Sequence, residues 1–371
     1  MSSSLFSIIV IFSILAEIPI AHAQDFAHGI RTEVPIQQIT LSDGTIRYWI
    51  PVKIGNTSVN TLLDSGTTGL RILPGAISGS DAPKGQIDRL TVASGTVLVG
   101  EVTSGTIQIG SISGLSPFQS IKKIECVFRA STCPSAHVPF EEYGLGAEGL
   151  PGEGFHAIIG VKAGLSSLAN PLLAIGVTRW IIELPRPGDS TPGKLVLNPR
   201  DDEAGDYVYI PVGGPHTFGM PDVFTHIRGN ITKPERDVLL PDAMGGCLQI
   251  ESGAKACGAL TFDTGYPAVD VINGPISVSQ GALPENTKAE LTIFDGNEPR
   301  AATSFEAGIK AQASQVFVTK HGPQNFGTVI FAGAVPYFAF DVLYESNRNR
   351  IGLKPRPIAA GLPAGKLLLS Q

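Results

Sequence analysis

The chain has 371 residues, only 16% of them charged, a net charge of −6, and 43 glycines with 28 prolines. That length can bury a large core as two domains or one bilobed body. The absence of any basic block argues against nucleic acid and against an electrostatically held membrane surface, and the Gly, Pro and β-branched content favours short strands and turns over long helices.

An apolar core from Leu5 to about Leu15, followed by the small-x-small site Ala21-His22-Ala23, reads as a signal peptide over residues 1–23. Export to a periplasmic or extracellular compartment is therefore expected, with Gln24 first in the mature chain. Because Met1 to Ser4 carries no Lys or Arg, an uncleaved anchor is the alternative, although Glu17 and Pro19 make the apolar run short for a membrane span. No second run is long enough to cross a bilayer, so no stable membrane insertion is expected after cleavage.

Ile46, Tyr48, Ile50, Val52 and Ile54 then alternate with polar or bulky neighbours, the period-two pattern of a half-buried strand. Gly55-Asn56 supplies a hairpin turn, and Val59 to Leu63 returns as a strand that delivers Asp64 into Asp64-Ser65-Gly66-Thr67. Further strands are expected at Leu90 to Val92, Val97 to Val102 and Thr106 to Ile109. Ser116 to Gly154 is less regular. It contains Gly144-Leu145-Gly146-Ala147-Glu148-Gly149, formally a GxGxxG, but no strand leads into it and Pro151-Gly152 follows, so it reads as loop and not as a dinucleotide site.

Phe155 to Gly160 is a short apolar strand, Leu165 to Ile175 reads as a helix, and Trp180 to Leu184 and Lys194 to Leu197 flank a turn region. The polar stretch Pro199 to Gly205 marks a boundary between an N-terminal unit, 24–198, and a C-terminal one, 199–357, with a tail over 358–371. In the second unit Ala259-Leu260-Thr261-Phe262 delivers Asp263 into Asp263-Thr264-Gly265, and later strands run Thr328 to Gly333 and Val342 to Leu353. One Asp-Ser-Gly after a strand is an ordinary turn. Two apolar strands each ending in Asp-[Ser/Thr]-Gly point to one carboxylate from each half of an internally duplicated protein.

Cys126, Cys133, Cys247 and Cys257 fall as two close pairs. Four cysteines allow three pairings; in an oxidising compartment the preferred one joins Cys126 to Cys133 and Cys247 to Cys257. A zinc site is the alternative, but neither pair has Cys-x-x-Cys spacing or an adjacent histidine. Neither a metal nor another cofactor is expected.

With these motifs in order, the chain resembles the pepsin-like aspartic peptidases. The resemblance rests on the two Asp-[Ser/Thr]-Gly loops, on Ile158-Ile159-Gly160 and Phe331-Ala332-Gly333 as the strands threading behind them, on the Cys247–Cys257 loop before the second aspartate, and on Tyr344 to Leu353 as the closing hairpin. It implies an all-β, bilobed fold of two related β-barrel-like lobes with a cleft between them. It further implies a monomeric endopeptidase whose Asp64/Asp263 dyad activates a water against a peptide or protein substrate, with Ser65 and Thr264 cross-bracing the loops and Thr67 bonded to Asp64. Gln24 lies close before the first strand, so no basic inhibitory prosegment is expected.

Three positions depart from the family pattern. Tyr266, followed by Pro267, stands beside Asp263 where a hydroxyl residue is usual, and aligning Leu90 to Gly95 with the flap puts Ser94 where the flap tyrosine belongs, next to Gly95. Arg71 replaces the tryptophan that supports the flap, and Gly69-Leu70-Arg71 resembles a bacterial branch of the family. Arg71 reads either as a surface or interlobe ion pair, or as a cation that favours ionised Asp64 or binds a substrate carboxylate. These departures leave a second expectation open, a catalytically inactive pepsin-fold binding protein.

Overall fold

The computed structural model describes residues 29–77, 85–127, 133–163, 167–213, 243–251, 253–276, 281–319 and 327–368. The expected signal peptide, residues 1–23, lies outside them. In the first half of the chain the strands are β1 (Thr32–Thr40), β2 (Ile46–Ile54), β3 (Thr57–Asp64), β4 (Thr68–Ile72), β5 (Ile87–Thr91), β6 (Thr96–Ile109), β7 (Ile112–Cys126), β8 (Ala157–Val161), β9 (Arg179–Glu183) and β10 (Gly193–Leu197). The second half adds β11 (Val208–Pro211), β12 (Met244–Ile250), β13 (Lys255–Thr261), β14 (Val269–Ile272), β15 (Gly281–Ala282), β16 (Lys288–Asp295), β17 (Glu298–Glu306), β18 (Val316–Thr319), β19 (Val329–Phe331), β20 (Phe340–Glu345), β21 (Arg350–Pro355) and β22 (Ala364–Leu367). The described α-helices are single turns, α1 (Pro171–Ala174), α2 (Asp201–Ala204) and α3 (Val335–Ala339), beside short 3-10 turns. The protein is therefore all-β, as the composition implies.

Two sheets hold these strands. The first has thirteen in the order β11-β21-β20-β9-β10-β1-β2-β3-β8-β4-β7-β6-β5, and the second has nine in the order β15-β18-β14-β19-β13-β12-β16-β17-β22. Strand β1 is shared along its length, its first part pairing with β10 and its last with β2. Three strands from the second half of the chain, β11, β20 and β21, extend the first sheet beside β9.

One pairing pattern occurs twice. Strand β3 runs parallel to β8, β8 antiparallel to β4, and β4 parallel to β7. In the second sheet β13 runs parallel to β19, β19 antiparallel to β14, and β14 parallel to β18. Each time, an aspartate closes or follows the first strand of the set, so the duplication read from the two motifs has a structural counterpart. The alternating residues of β2 explain why it is central: Tyr48, Ile50, Val52 and Ile54 join the main core while Trp49 packs on a second apolar cluster across the sheet.

Several expected elements change. The strands expected at Val97 to Val102 and Thr106 to Ile109 are one strand, β6, paired along its whole length with β7, which also takes up the start of the stretch read as irregular. Much of β6 beyond Gly100 is half-exposed, so its alternation is weak. The helix expected from Leu165 to Ile175 is the single turn α1 among the described residues. Asn170 caps it by accepting from the Leu172 amide at 2.8 Å, and Gly176, at φ +84°, ends it. In the tail, β22 pairs with β17. Gly144 to Gly149 is a loop whose Leu145 bridges Phe155. No helix among the described residues is long and apolar enough to cross a membrane. Both disulfides form as preferred, Cys126–Cys133 and Cys247–Cys257, the latter at directly opposed positions of β12 and β13.

Candidate active site

Apolar strands deliver the two aspartates. Thr61, Leu62 and Leu63 of β3 are buried and Asp64 closes the strand in register with Gly160 of β8, where a methyl group would stand 2.7 Å from the Thr67 carbonyl. In the second sheet Leu260, Thr261 and Phe262 are buried, and the Asp263 amide donates to the Gly333 carbonyl at 3.1 Å. A methyl at Gly333 would strike the Ala268 carbonyl, so this close passage of strand behind loop also demands glycine.

The loops bring the two carboxyls together: a methyl group at Gly265 would lie 3.0 Å from Asp64 Oδ2 and 3.2 Å from Asp263 Oδ1. Asp64 Oδ1 accepts from the amides of Gly66 at 2.7 Å and Thr67 at 2.9 Å, and Asp263 Oδ1 accepts from the Gly265 amide at 2.8 Å. Gly66 and Gly265 pack against the opposite carboxyls: a methyl at Gly66 would overlap Asp263, and one at Gly265 would lie 2.8 Å from Asp64 Cγ. Burial pushes Asp64 above the usual carboxylate range against the pull of its Thr67 and Gly66 donors, and burial followed by the charge of Asp64 pushes Asp263 well above it. Two adjoining carboxyls with raised affinity for protons hold one proton between them readily, and the titration belongs to the pair.

A cross-brace fixes the loops. The Ser65 amide donates to Thr264 Oγ1 and the Thr264 amide to Ser65 Oγ, both at 3.0 Å, and Thr264 Oγ1 donates to the Leu63 carbonyl at 2.8 Å. Ser65 Oγ is joined at 2.6 Å to the buried phenol of Tyr337 in α3, which is bonded in turn to Tyr344 Oη. Tyr344 stacks on Trp180, ring centroids 5.4 Å apart. Burial and then Tyr344 hold the Tyr337 phenol well above its ordinary range, so it stays neutral.

Of the other predicted residues, Thr67 reaches Asp64 through its amide, as above. Tyr266 is half-buried; burial, then the charges of Asp270 and Asp263, push its phenol up, so it remains protonated. Ser94 is an exposed turn residue at the tip of the β5–β6 hairpin, donating to Thr96 Oγ1 at 3.1 Å, and Gly95 takes the left-handed conformation that closes the turn at φ +88°. Of its two readings Arg71 takes the ion pair, buried inside the sheet and not at the surface. It lies in β4, inside the first sheet, is 1% exposed, and pairs with Asp88 of β5 at 3.4 Å while donating to the Thr68 carbonyl. Its position in the middle of a sheet covered on both faces is the reason.

Sequence reasoning missed Tyr337, Tyr344 and Asp88, and also two cations that act on Asp263. These are Lys162, just past β8, and the buried Arg47 of β2, whose guanidinium donates to the carbonyls of Gly146 and Ile46. No group of His, Cys, Asp and Glu that could hold a metal ion occurs among the described residues. No protein-family model matches the chain, and no curated protein matches it.

Proposed function

We propose that the protein is an exported aspartic endopeptidase of pepsin-like, bilobed architecture, in which Asp64 and Asp263 activate a water that attacks a peptide bond of an extended chain held between the lobes. The observation that carries this reading is the pair of adjoining carboxyls, one from each copy of the duplicated strand pattern, packed against Gly66 and Gly265 and locked by the Ser65–Thr264 brace.

In the singly protonated pair one carboxylate takes a proton from the water as its oxygen bonds to the scissile carbonyl carbon, while the protonated carboxyl donates to the carbonyl oxygen. The resulting tetrahedral diol collapses when the amide nitrogen is protonated and the carbon–nitrogen bond breaks, releasing an acid and an amine and restoring one proton to the pair. The binding-protein alternative calls for carboxyls held apart or for Arg71 lodged between them. The adjoining carboxyls and the Arg71–Asp88 pair favour catalysis instead.

The test is incubation of the purified mature protein with a diverse peptide library from about pH 3 to 7, with and without a statine-type transition-state analogue. Cleavage at acidic pH that the analogue blocks is the expected result. A library left intact at every pH would overturn the reading.

A further inference from the structure

Arg71 and Asp88 are buried charges that the mechanism above does not use. Arg71 is 1% and Asp88 7% exposed. Strands β4 and β5 are not neighbours, since β7 and β6 lie between them in the sheet, so the 3.4 Å contact of Arg71 Nη2 with Asp88 Oδ2 joins two strands that do not pair. Its other contact is the carbonyl of Thr68, the first residue after the Asp64–Thr67 loop. Asp88 is held from two further sides: Ser167 Oγ donates to its Oδ1 and Gln119 Nε2 to its carbonyl, both at 2.7 Å. Arg71 Nε is buried without an acceptor.

Such a pair does not explain itself as a source of stability. Two charges are desolvated, one guanidinium N–H is unpaired, and an apolar side chain of similar volume in a sheet interior commonly does as well or better. What the pair does that an apolar side chain cannot is join a fixed positive charge, beside the Asp64 loop, to the strand that carries the β5–β6 hairpin.

We infer that Arg71 and Asp88 are positioning residues for the proposed peptidase reaction, a buried ion pair that tethers the β5–β6 hairpin to the Asp64 loop and sets the charge under which the carboxyl pair works. The inference rests on the peptidase reading, in which that hairpin is the flap. Its bond to the Thr68 carbonyl holds the Arg71 charge beside the Asp64 loop, where a cation favours the ionised carboxylate. Among the described residues, Lys162 and Arg47 also act on the pair, both on Asp263, and the neighbouring Tyr266 and Tyr337 phenols stay protonated.

The test compares pH profiles of kcat/KM, on one peptide that the wild type cleaves, for Arg71→Met, Asp88→Asn and Arg71→Lys. Removing the cation makes the carboxyl pair harder to ionise, so both limbs of the Arg71→Met profile move to higher pH by about half a unit or more. Removing the partner's charge leaves Arg71 uncompensated, so Asp88→Asn moves the limbs the other way. Arg71→Lys keeps the charge and the limbs, while the shortened tether raises KM about threefold or more, as it does in the other two variants.

Limbs that stay in place in all three variants, with only thermal stability reduced, would overturn the inference and leave a merely structural ion pair. If Arg71→Met does not fold, Arg71→Lys and Asp88→Asn suffice, since the limbs must hold in the first and fall in the second. If the wild type cleaves no peptide, the peptidase reading fails by itself. The same opposed shifts are then read from the Asp64 carboxyl by carbon-13 NMR titration of aspartate-labelled protein, and an Asp64 titration that Arg71→Met does not move overturns the pairing claim.

Discussion

Ser65 and Thr264 exchange two hydrogen bonds of 3.0 Å, each residue's amide donating to the other's hydroxyl. A pair of residues so far apart in sequence thereby fixes the two aspartate loops face to face, and the adjoining carboxyls inherit that geometry. Thr264→Val keeps the shape of the side chain but leaves the Ser65 amide without its acceptor and takes a donor from the Leu63 carbonyl. With about 1–3 kcal/mol for each buried group left unpaired, a fall in Tm of roughly 5–10 °C is expected by calorimetry. Thr264→Ser, which restores the hydroxyl, should recover most of it.

Gly66 packs directly against the Asp263 carboxyl. Gly66→Ala must displace that carboxyl from its partner, so kcat on a peptide should fall about 100-fold or more, the scale of a misplaced catalytic group. Thermal unfolding reports whether the fold is retained, and a folded Gly66→Ala protein with wild-type kcat would contradict the packing.

Stability should depend on pH in a definite direction. Asp263 binds its proton more tightly in the folded chain than at its ordinary value of 3.8. Above pH 3.8, and up to its folded-state value, the folded protein holds more proton than the unfolded one, so stability is fully present below 3.8 and falls as pH rises through that window. Asp263→Asn cannot ionise. It should match the wild type near pH 3 and exceed it in Tm at pH 7, measured by thermal scans at both pH values.

The Cys247–Cys257 disulfide closes a short loop between β12 and β13, which also pair with β16 and β19. Replacing both cysteines by Ala should therefore cost about 2–3 kcal/mol without loss of the fold, checked by denaturant unfolding.

Much of the site was legible because its signals are local. An apolar run ending in Asp-[Ser/Thr]-Gly, repeated in each half, points to Asp64 and Asp263, and the resemblance to the pepsin-like pattern adds Gly160 and Gly333. The missed groups have no local signature. Tyr337 acts on Ser65 from 272 residues away, and a buried hydroxyl's partner leaves no periodicity. Arg71 reads as a surface charge because guanidinium groups are seldom buried; the partner that makes burial possible, Asp88, is a single polar residue in a short edge strand. Around α1 the apolar Leu165 to Ile175 suggests a longer helix, whereas Asn170, Pro171 and Gly176 punctuate it to one turn.

The central claim is that both carboxyls are required as a unit. It is tested most directly by the rate at which the wild type, Asp64→Ala and Asp263→Ala cleave a denatured protein at acidic pH. Both variants should lose cleavage, by about 10⁴-fold or more, since the members of a catalytic pair are not additive. Cleavage that survives either substitution at close to the wild-type rate would contradict the account.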